Sequence, residues 1–397
     1  MINHLSNRTL FQQHLAHTSS FPLALEIENA SGLYLYGPNG EKYMDLISGI
    51  AVSNLGHCHP AVVEAVQKQA ATYMHLMVYG EYIQAPQVQL AELLTQNLPS
   101  NLNSVYFVNS GTEATEGALK LAKRYTGRSE IISCYNSYHG STHGALSVMG
   151  NETFKQSFRP LLPGIQFINF GQISDIEQIT EQTACVIIET IQGEAGVIEA
   201  SKEYFTALRK RCTETGTLLI LDEIQTGFGR TGKLWAFEHY GITPDILLLA
   251  KGMGGGMPIG AFVAKKEVMQ SLQTNPILGH ITTFGGHPVC CAASLATLQT
   301  IINERLVDTI DEKEWLFLSL LKHPSIKAMR SKGLMIAVEF ESFEKLQKII
   351  NNCMSKGVLV DWFLHNDKSM RIAPPLIITK EEIMEACEKI TNVLNSL

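Results

Sequence analysis

Two short apolar runs near the middle of the chain each end on a charged residue: Leu218-Leu219-Ile220-Leu221-Asp222 and Ile246-Leu247-Leu248-Leu249-Ala250-Lys251. Unbroken aliphatic runs of this length, with no polar alternation, belong to strands buried on both faces, and such strands occur almost only in parallel sheets covered by helices. The surrounding sequence repeats the pattern. Ser104–Val108, Glu130–Cys134 and Ala184–Glu189 read as further strands, with Thr112–Tyr125 and Lys202–Thr215 as helices between them. The expectation is an α/β fold with a mostly parallel central sheet and helices on both faces. In open sheets of that kind ligands collect beyond the C-terminal strand ends, where Asp222 and Lys251 stand.

The rest of the chain is organised differently. Gly32–Tyr36 and Lys42–Leu46 flank Gly37-Pro38-Asn39-Gly40, which predicts a hairpin. Apolar positions recurring at three and four residues predict helices over Pro60–Tyr73 and Ala85–Gln96. After about residue 290 come two helices, Pro288–Asn303 and Leu306–Leu321. Strands at Gly333–Glu339, Val358–Asp361 and Ser369–Ile372, a helix over Phe343–Lys356 and a closing helix from Lys380 follow. With 397 residues and a prior of roughly 150 residues per domain, more than one core is expected. The division expected is an N-terminal segment, 1–50, packing with the small lobe, a large domain over 51–290, and a smaller α+β C-terminal domain over 291–397.

Composition narrows the class. The chain is 45% hydrophobic and 17% charged, with a net charge of -7. That balance gives no support to nucleic-acid binding, which favours a basic face. No apolar stretch approaches the roughly 18 residues of a membrane helix, and Met1–His17 is polar, so no membrane association and a cytoplasmic location are expected. The cysteines are scattered without a CxxC pair, which argues against a disulfide framework or zinc ribbon. His57-Cys58-His59-Pro60 has the wrong spacing to close on one ion and reads as structural, so no metal is expected.

Chemistry concentrates at strand ends. Val108-Asn109-Ser110-Gly111-Thr112 runs from a strand through small residues into a helix, which leaves free N–H groups and hydroxyls for a phosphate, or makes a plain N-cap. Tyr138 and Gly140, after the next strand, offer a stacking ring and close backbone approach, or a core aromatic beside a turn. An Asp at the end of a buried strand needs a cation, and a lysine in the same setting becomes nucleophilic by desolvation. Asp222 and Lys251 therefore suit an aldehyde cofactor with a basic ring nitrogen, unless they pair with each other.

The chain also carries Gly49-Ile50-Ala51-Val52, Leu55-Gly56-His57, Asn109–Ala114, Glu189-Thr190-Ile191-Gln192-Gly193-Glu194-Ala195-Gly196, Leu221-Asp222-Glu223-Ile224-Gln225-Thr226-Gly227-Phe228-Gly229-Arg230-Thr231-Gly232, Ala250-Lys251, Thr282-Thr283-Phe284-Gly285-Gly286 and Arg371-Ile372-Ala373-Pro374-Pro375-Leu376. From about Phe21 to the C-terminus these segments resemble class III pyridoxal-phosphate aminotransferases of fold type I, most closely the acetylornithine and ornithine subgroup. The resemblance implies pyridoxal 5′-phosphate as cofactor, with Lys251 forming its Schiff base, the internal aldimine, and shuttling the proton. It implies that Asp222 holds the ring nitrogen's proton, Gln225 bonds the phenolic oxygen, Ser110, Gly111 and Thr112 take the phosphate, and Tyr138 stacks on the ring. Thr283 would reach the phosphate in a neighbouring subunit, which implies a homodimer with shared sites. Arg371 would bind the α-carboxylate of glutamate, with Glu194 covering it when an ω-amine is bound; Thr282 and Ser141 are expected at the substrate.

One position departs from that pattern. The ornithine-type enzymes carry an Arg where Ser141 follows Tyr138-His139-Gly140, and that Arg takes the substrate's far carboxylate. A serine makes no charged bidentate contact. The expected reaction moves an amino group from an acetylornithine- or ornithine-like amine to 2-oxoglutarate; 4-aminobutyrate, lysine or a diamine-like donor is the alternative that Ser141 leaves open. An aminomutase, racemase or decarboxylase on the same fold, and a catalytically silent binding protein, are readings of other classes.

Overall fold

Side chains alternate across the central strands into two separate cores. From Leu218–Asp222, Leu219 and Leu221 join Val186, Ile188, Leu247 and Leu249 on one face, while Leu218 and Ile220 join Ile187, Ile246 and Leu248 on the other. That two-sided burial is why these strands read as continuous aliphatic runs. The structure, a computed structural model, describes residues 6–397; the first residues of the expected N-terminal segment, 1–5, lie outside the described residues.

The central sheet has seven strands in the order Ser104–Val108, Gly260–Ala264, Ile246–Leu249, Leu218–Asp222, Thr183–Glu189, Glu130–Cys134, Ile165–Ile168. All neighbours are parallel except Gly260–Ala264, which runs antiparallel to both of its own. Two of these strands are not anticipated from sequence. Gly260–Ala264 carries little aliphatic bulk and is fixed by its partners, Gly260 lying so close to the Ser110 carbonyl that a Cβ would sit 2.5 Å from the oxygen. Ile165–Ile168 is an edge strand with an exposed Gln166, too short and too polar to stand out.

A second core gathers Ile336, Val338, Met370 and Ile372 with helix residues Leu346, Ile349, Ile383 and Ile390. Its sheet has four strands, Ala328–Lys332, Met335–Glu339, Asn366–Ile372 and Asp361–Phe363. The N-terminal hairpin, Tyr34–Tyr36 with Lys42–Asp45, joins this lobe: Lys42–Asp45 pairs in parallel with Val358–Leu359, and Leu33, Met44 and Leu46 enter the same core. The helix Pro288–Asn303, from which the sequence expectation starts the small lobe, packs instead in the larger core through Cys290, Cys291, Ala293, Leu298 and Ile301. A helix apolar nearly all round demands that degree of burial. The segment expected as one helix over Leu306–Leu321 is broken into a 3-10 turn, Leu306–Thr309, and a helix, Ile310–Leu320.

Arg230 joins the two lobes. It is 0% exposed, donates from Nη1 to the carbonyls of Leu334 and Pro374 in the small lobe and from Nη2 to Asn54 Oδ1 at 2.6 Å. Burial pushes its pKa down to about 9. His57 Nε2 donates to Asp45 Oδ2 at 2.8 Å, and the neighbouring Cys58 is exposed. Among the described residues no helix is long and apolar enough to cross a membrane.

Candidate active site

A cavity of about 510 Å³ opens beyond the C-terminal ends of the central strands, between the loops that leave Val108, Cys134, Glu189, Asp222 and Leu249. Ser110, Gly111, Thr112, Tyr138, Ser141, Glu194, Asp222, Gln225 and Lys251 all line it. Thr282 and Thr283 do not. Thr282 accepts from Asn109 Nδ2 at 3.0 Å, just outside the cavity, and Thr283 lies on the exposed surface.

The helix Gly111–Thr126 starts at the cavity floor. Ser110 caps it, its Oγ accepting from Glu113 N–H at 3.3 Å, so the N-cap role and a free helix N-terminus coexist. The chain is crowded here: a Cβ on Gly111 would meet Ile224 Cδ1 at 2.8 Å, and one on Gly140 would meet Thr112 Oγ1 at 2.4 Å. Thr112 is held from the side. Thr142 Oγ1 donates to Glu116 Oε1, so the Thr112 hydroxyl donates to Thr142 Oγ1 at 2.7 Å while accepting from the Thr142 N–H at 3.2 Å. Glu116 also accepts the N–H groups of Gly144 and Ala145, at 2.8 and 3.1 Å.

Asp222 and Lys251 do not pair with each other. Asp222 Oδ2 lies 2.7 Å from His139 Nδ1, and Oδ1 accepts from Ile224 N–H at 2.9 Å. His139 is 2% exposed and its Nε2 has no partner, so it is a dedicated support for the carboxylate. Lys251 adopts a left-handed φ of 45°, a conformation that costs an L-residue roughly 1–2 kcal/mol. Burial pushes its ammonium pKa down, Glu194 opposes that, and Arg371 adds to it.

Glu189 is a further carboxylate in the lining. It accepts from Tyr138 N–H at 3.1 Å and Gly193 N–H at 2.9 Å. Burial, then repulsion from Asp222, pushes its carboxyl well above the ordinary range. Sequence reasoning missed the parts played by His139, Glu189 and Glu116. Glu189 carried the same signal as Asp222, a carboxylate closing an apolar strand; His139 and Glu116 are functional only through partners distant in sequence.

Arg371, on the Asn366–Ile372 strand, does not itself line the cavity; it lies buried behind Glu194, which does. Its Nη2 donates to Glu194 Oε2 at 2.6 Å and to the Trp362 carbonyl at 3.1 Å, and its guanidinium stacks on Phe363 with 4.6 Å to the ring centre. Its Nε and Nη1 are buried without partners. Burial pushes the Glu194 carboxyl up, but Arg371 and then Lys251 outweigh it and hold it below the usual carboxylate value. Gln225 Nε2 reaches Glu194 Oε1 at 3.4 Å. Tyr138 Oη and Ser141 Oγ are 3.2 Å apart at the mouth.

A carboxylate closing one strand and a lysine just beyond the end of its parallel neighbour, beside a helix N-terminus, are the arrangement expected of an enzyme of the pyridoxal-phosphate type. The class-III aminotransferase family matches residues 15–394, and the chain belongs to that family, a pyridoxal-phosphate-dependent transaminase of fold type I. It is 42% identical to an acetylornithine aminotransferase of Caldanaerobacter subterraneus, over 92% of this chain and 93% of that one. It is 40% identical to the acetylornithine aminotransferase of Bacillus subtilis (93% and 95% covered) and 41% identical to a putrescine aminotransferase of Pectobacterium atrosepticum (91% and 81%). The ornithine aminotransferase of Toxoplasma gondii superposes with a TM-score of 0.91 at 29% identity, covering 99% of this chain and 96% of that structure.

The cavity fits the cofactor chemically. Unpaired helix N–H groups suit a phosphate, and glycines at 111 and 140 keep the cradle free of Cβ atoms. Asp222, fixed by His139, suits a protonated ring nitrogen, and Lys251 suits an aldehyde.

Proposed function

We propose that the protein is an ω-aminotransferase that passes an amino group from an acetylornithine- or ornithine-like amine to a 2-oxo acid, 2-oxoglutarate being the first choice. Pyridoxal phosphate, when bound, supplies an aldehyde that exchanges amines and a ring that draws electrons from the carbon bearing the amine. Lys251 Nζ would hold the cofactor through its aldehyde, and its pKa, lowered by burial, favours the free amine that would take the proton from the substrate carbon. Asp222 would keep the ring nitrogen protonated, with His139 keeping Asp222 aimed. Ser110, Gly111 and Thr112 would hold the phosphate, Tyr138 the ring and Gln225 the phenolic oxygen.

The observation that carries the dual-substrate reading is the state of Arg371. Both forks of a guanidinium include Nη2, and here Nη2 already serves Glu194 and the Trp362 carbonyl, while Nε and Nη1 are free. A substrate α-carboxylate that binds in bidentate fashion must therefore take Nη2 from Glu194 or from the Trp362 carbonyl, and repulsion between the two carboxylates favours displacement of Glu194. An ω-amine carries no carboxylate on its reacting carbon, so Glu194 stays and Arg371 is not left as a buried unpaired charge in that half-reaction.

Ser141 favours a second reading of the donor. The cavity mouth carries a hydroxyl pair, Tyr138 and Ser141, where a far carboxylate would want a cation. A lysine- or diamine-like donor suits that mouth better, in line with the relative named as a putrescine aminotransferase. A homodimer is part of the proposal: Met74, Tyr82, Ile83, Ile277 and Phe284 are exposed apolar side chains, and Phe284 is the residue after Thr283. The proposed location is the cytoplasm.

Rapid mixing of the cofactor-loaded protein with acetylornithine, ornithine, 4-aminobutyrate, lysine or putrescine, each alone, tests the donor by following the cofactor's absorbance. Fastest conversion by acetylornithine or ornithine supports the first reading, and fastest conversion by lysine or putrescine replaces it with the second. If none of them, nor glutamate, converts the cofactor, the transaminase reading of this site fails.

A further inference from the structure

Glu194 is held from two sides. Besides Arg371, its Oε2 accepts from the Leu364 amide N–H at 3.1 Å, and its own carbonyl accepts from the His365 N–H at 3.0 Å. Leu364 and His365 form the turn between strands Asp361–Phe363 and Asn366–Ile372, so a hairpin tip of the small lobe reaches across to a loop of the large one. The tip is fastened there at further points. His365 Nδ1 donates to the Asn136 carbonyl at 2.9 Å, and Asn366 Nδ2 donates to the Ala195 carbonyl at 3.3 Å. Gly196 passes close enough beneath that a Cβ would lie 2.6 Å from Asn366 Nδ2.

The consequence appears when Arg371 is taken by substrate. Glu194 is 3% exposed, and a carboxylate so buried needs donors. With Arg371 occupied, its remaining hydrogen-bond donors are the Leu364 amide at 3.1 Å and Gln225 Nε2 at 3.4 Å. The amide is the closer and is fixed by the backbone of a fastened turn. We propose that the Leu364 amide is the seat that retains the Glu194 carboxylate while an α-carboxylate occupies Arg371. Leu364 is thus a positioning residue, acting through its main chain, and the inference rests on the dual-substrate reading of Arg371. An unseated Glu194 returns to compete for Arg371, so the loss falls on the binding of the α-amino acid and spares the ω-amine.

Leu364→Pro in the cofactor-loaded enzyme tests this. The substitution deletes the N–H at a turn position whose φ is negative, and the side chain it replaces is 43% exposed. The amide already bonds Glu194 in the Arg371-paired state, so only its strengthening when Arg371 is taken is selective; the expected result is a rise of at least about threefold in KM for the glutamate half-reaction, a fraction of a hydrogen bond to a charged group, with less than about a twofold change in the ω-amine half-reaction. Leu364→Ala keeps the amide and produces no selectivity between the two. In a Glu194→Ala background Leu364→Pro has no selective effect, because no competitor remains. Equal losses in both half-reactions, or a selective loss that persists without Glu194, overturn the proposal. Should Leu364→Pro fail to fold, His365→Ala, which frees the turn from Asn136, carries the same expectation and the same refutation. Arg371→Ala separates the two levels: selective loss there with none in Leu364→Pro sinks the seat alone, and unselective loss in Arg371→Ala sinks the switch on which it rests.

Discussion

Replacing Arg371 by Met isolates what the buried ion pair contributes. Arg371 and Glu194 are each 3% exposed and meet at 2.6 Å, so screening by solvent is slight. Removing one member of such a pair strands the other, at a cost of about 3–5 kcal/mol. The pH dependence gives the cause its signature. In the intact protein Arg371, then Lys251, override burial and hold Glu194 below its usual 4.5, a contribution present above pH 4.5 and lost as pH falls through the lower folded value. In Arg371→Met burial prevails and the folded pKa rises above 4.5. The folded variant then binds a proton that the unfolded chain releases, so its stability declines as pH climbs from 4.5 through the raised value. The gap between the two proteins is therefore widest near neutrality and closes towards pH 4.5 and below. Urea unfolding of the cofactor-free proteins at several pH values reads it directly, and Arg371→Met/Glu194→Gln recovers most of the loss. A gap below about 1 kcal/mol near neutrality, or one that does not change with pH, refutes the account.

Lys251→Ala leaves the fold intact and abolishes both the covalently held cofactor and transamination; turnover at the parental rate rules out the assignment of Lys251. Gly140→Ala puts a Cβ 2.4 Å from Thr112 Oγ1 at a φ of 122°, displacing the phosphate cradle, and raises the dissociation constant for pyridoxal phosphate at least about tenfold; an unchanged constant means the cradle lies elsewhere. Ser141→Arg supplies the missing cation, and the ratio of kcat/KM for acetylornithine over putrescine rises at least about tenfold, an outcome that a constant ratio would contradict.

The central strands were legible because burial on both faces leaves an aliphatic run too short for a buried helix, and their charged ends marked Asp222 and Lys251. Gly260–Ala264 was not, since an antiparallel strand between two others is defined by its partners' hydrogen bonds rather than by its own side chains. Pro288–Asn303 was visible as a helix but not as part of the larger core, because sequence pattern reports that a helix is buried and not what buries it. In the site, His139 and Asp222 stand far apart in sequence, and Glu194 and Arg371 farther still; each pair is joined only by the sheet topology. Only the family resemblance linked Glu194 to Arg371, and nothing in the chain's pattern could have linked Leu364 to either.

Arg230 bears on how the cavity exchanges its contents. A guanidinium with no solvent exposure, bonded to Leu334 and Pro374 on one side and Asn54 on the other, acts as a pin: pulling the lobes apart there would strand its charge between half-broken carbonyl contacts. The hairpin tip at Leu364, fastened to the rim by single hydrogen bonds with no buried charge among its donors, is the cheaper of the two fastenings to release.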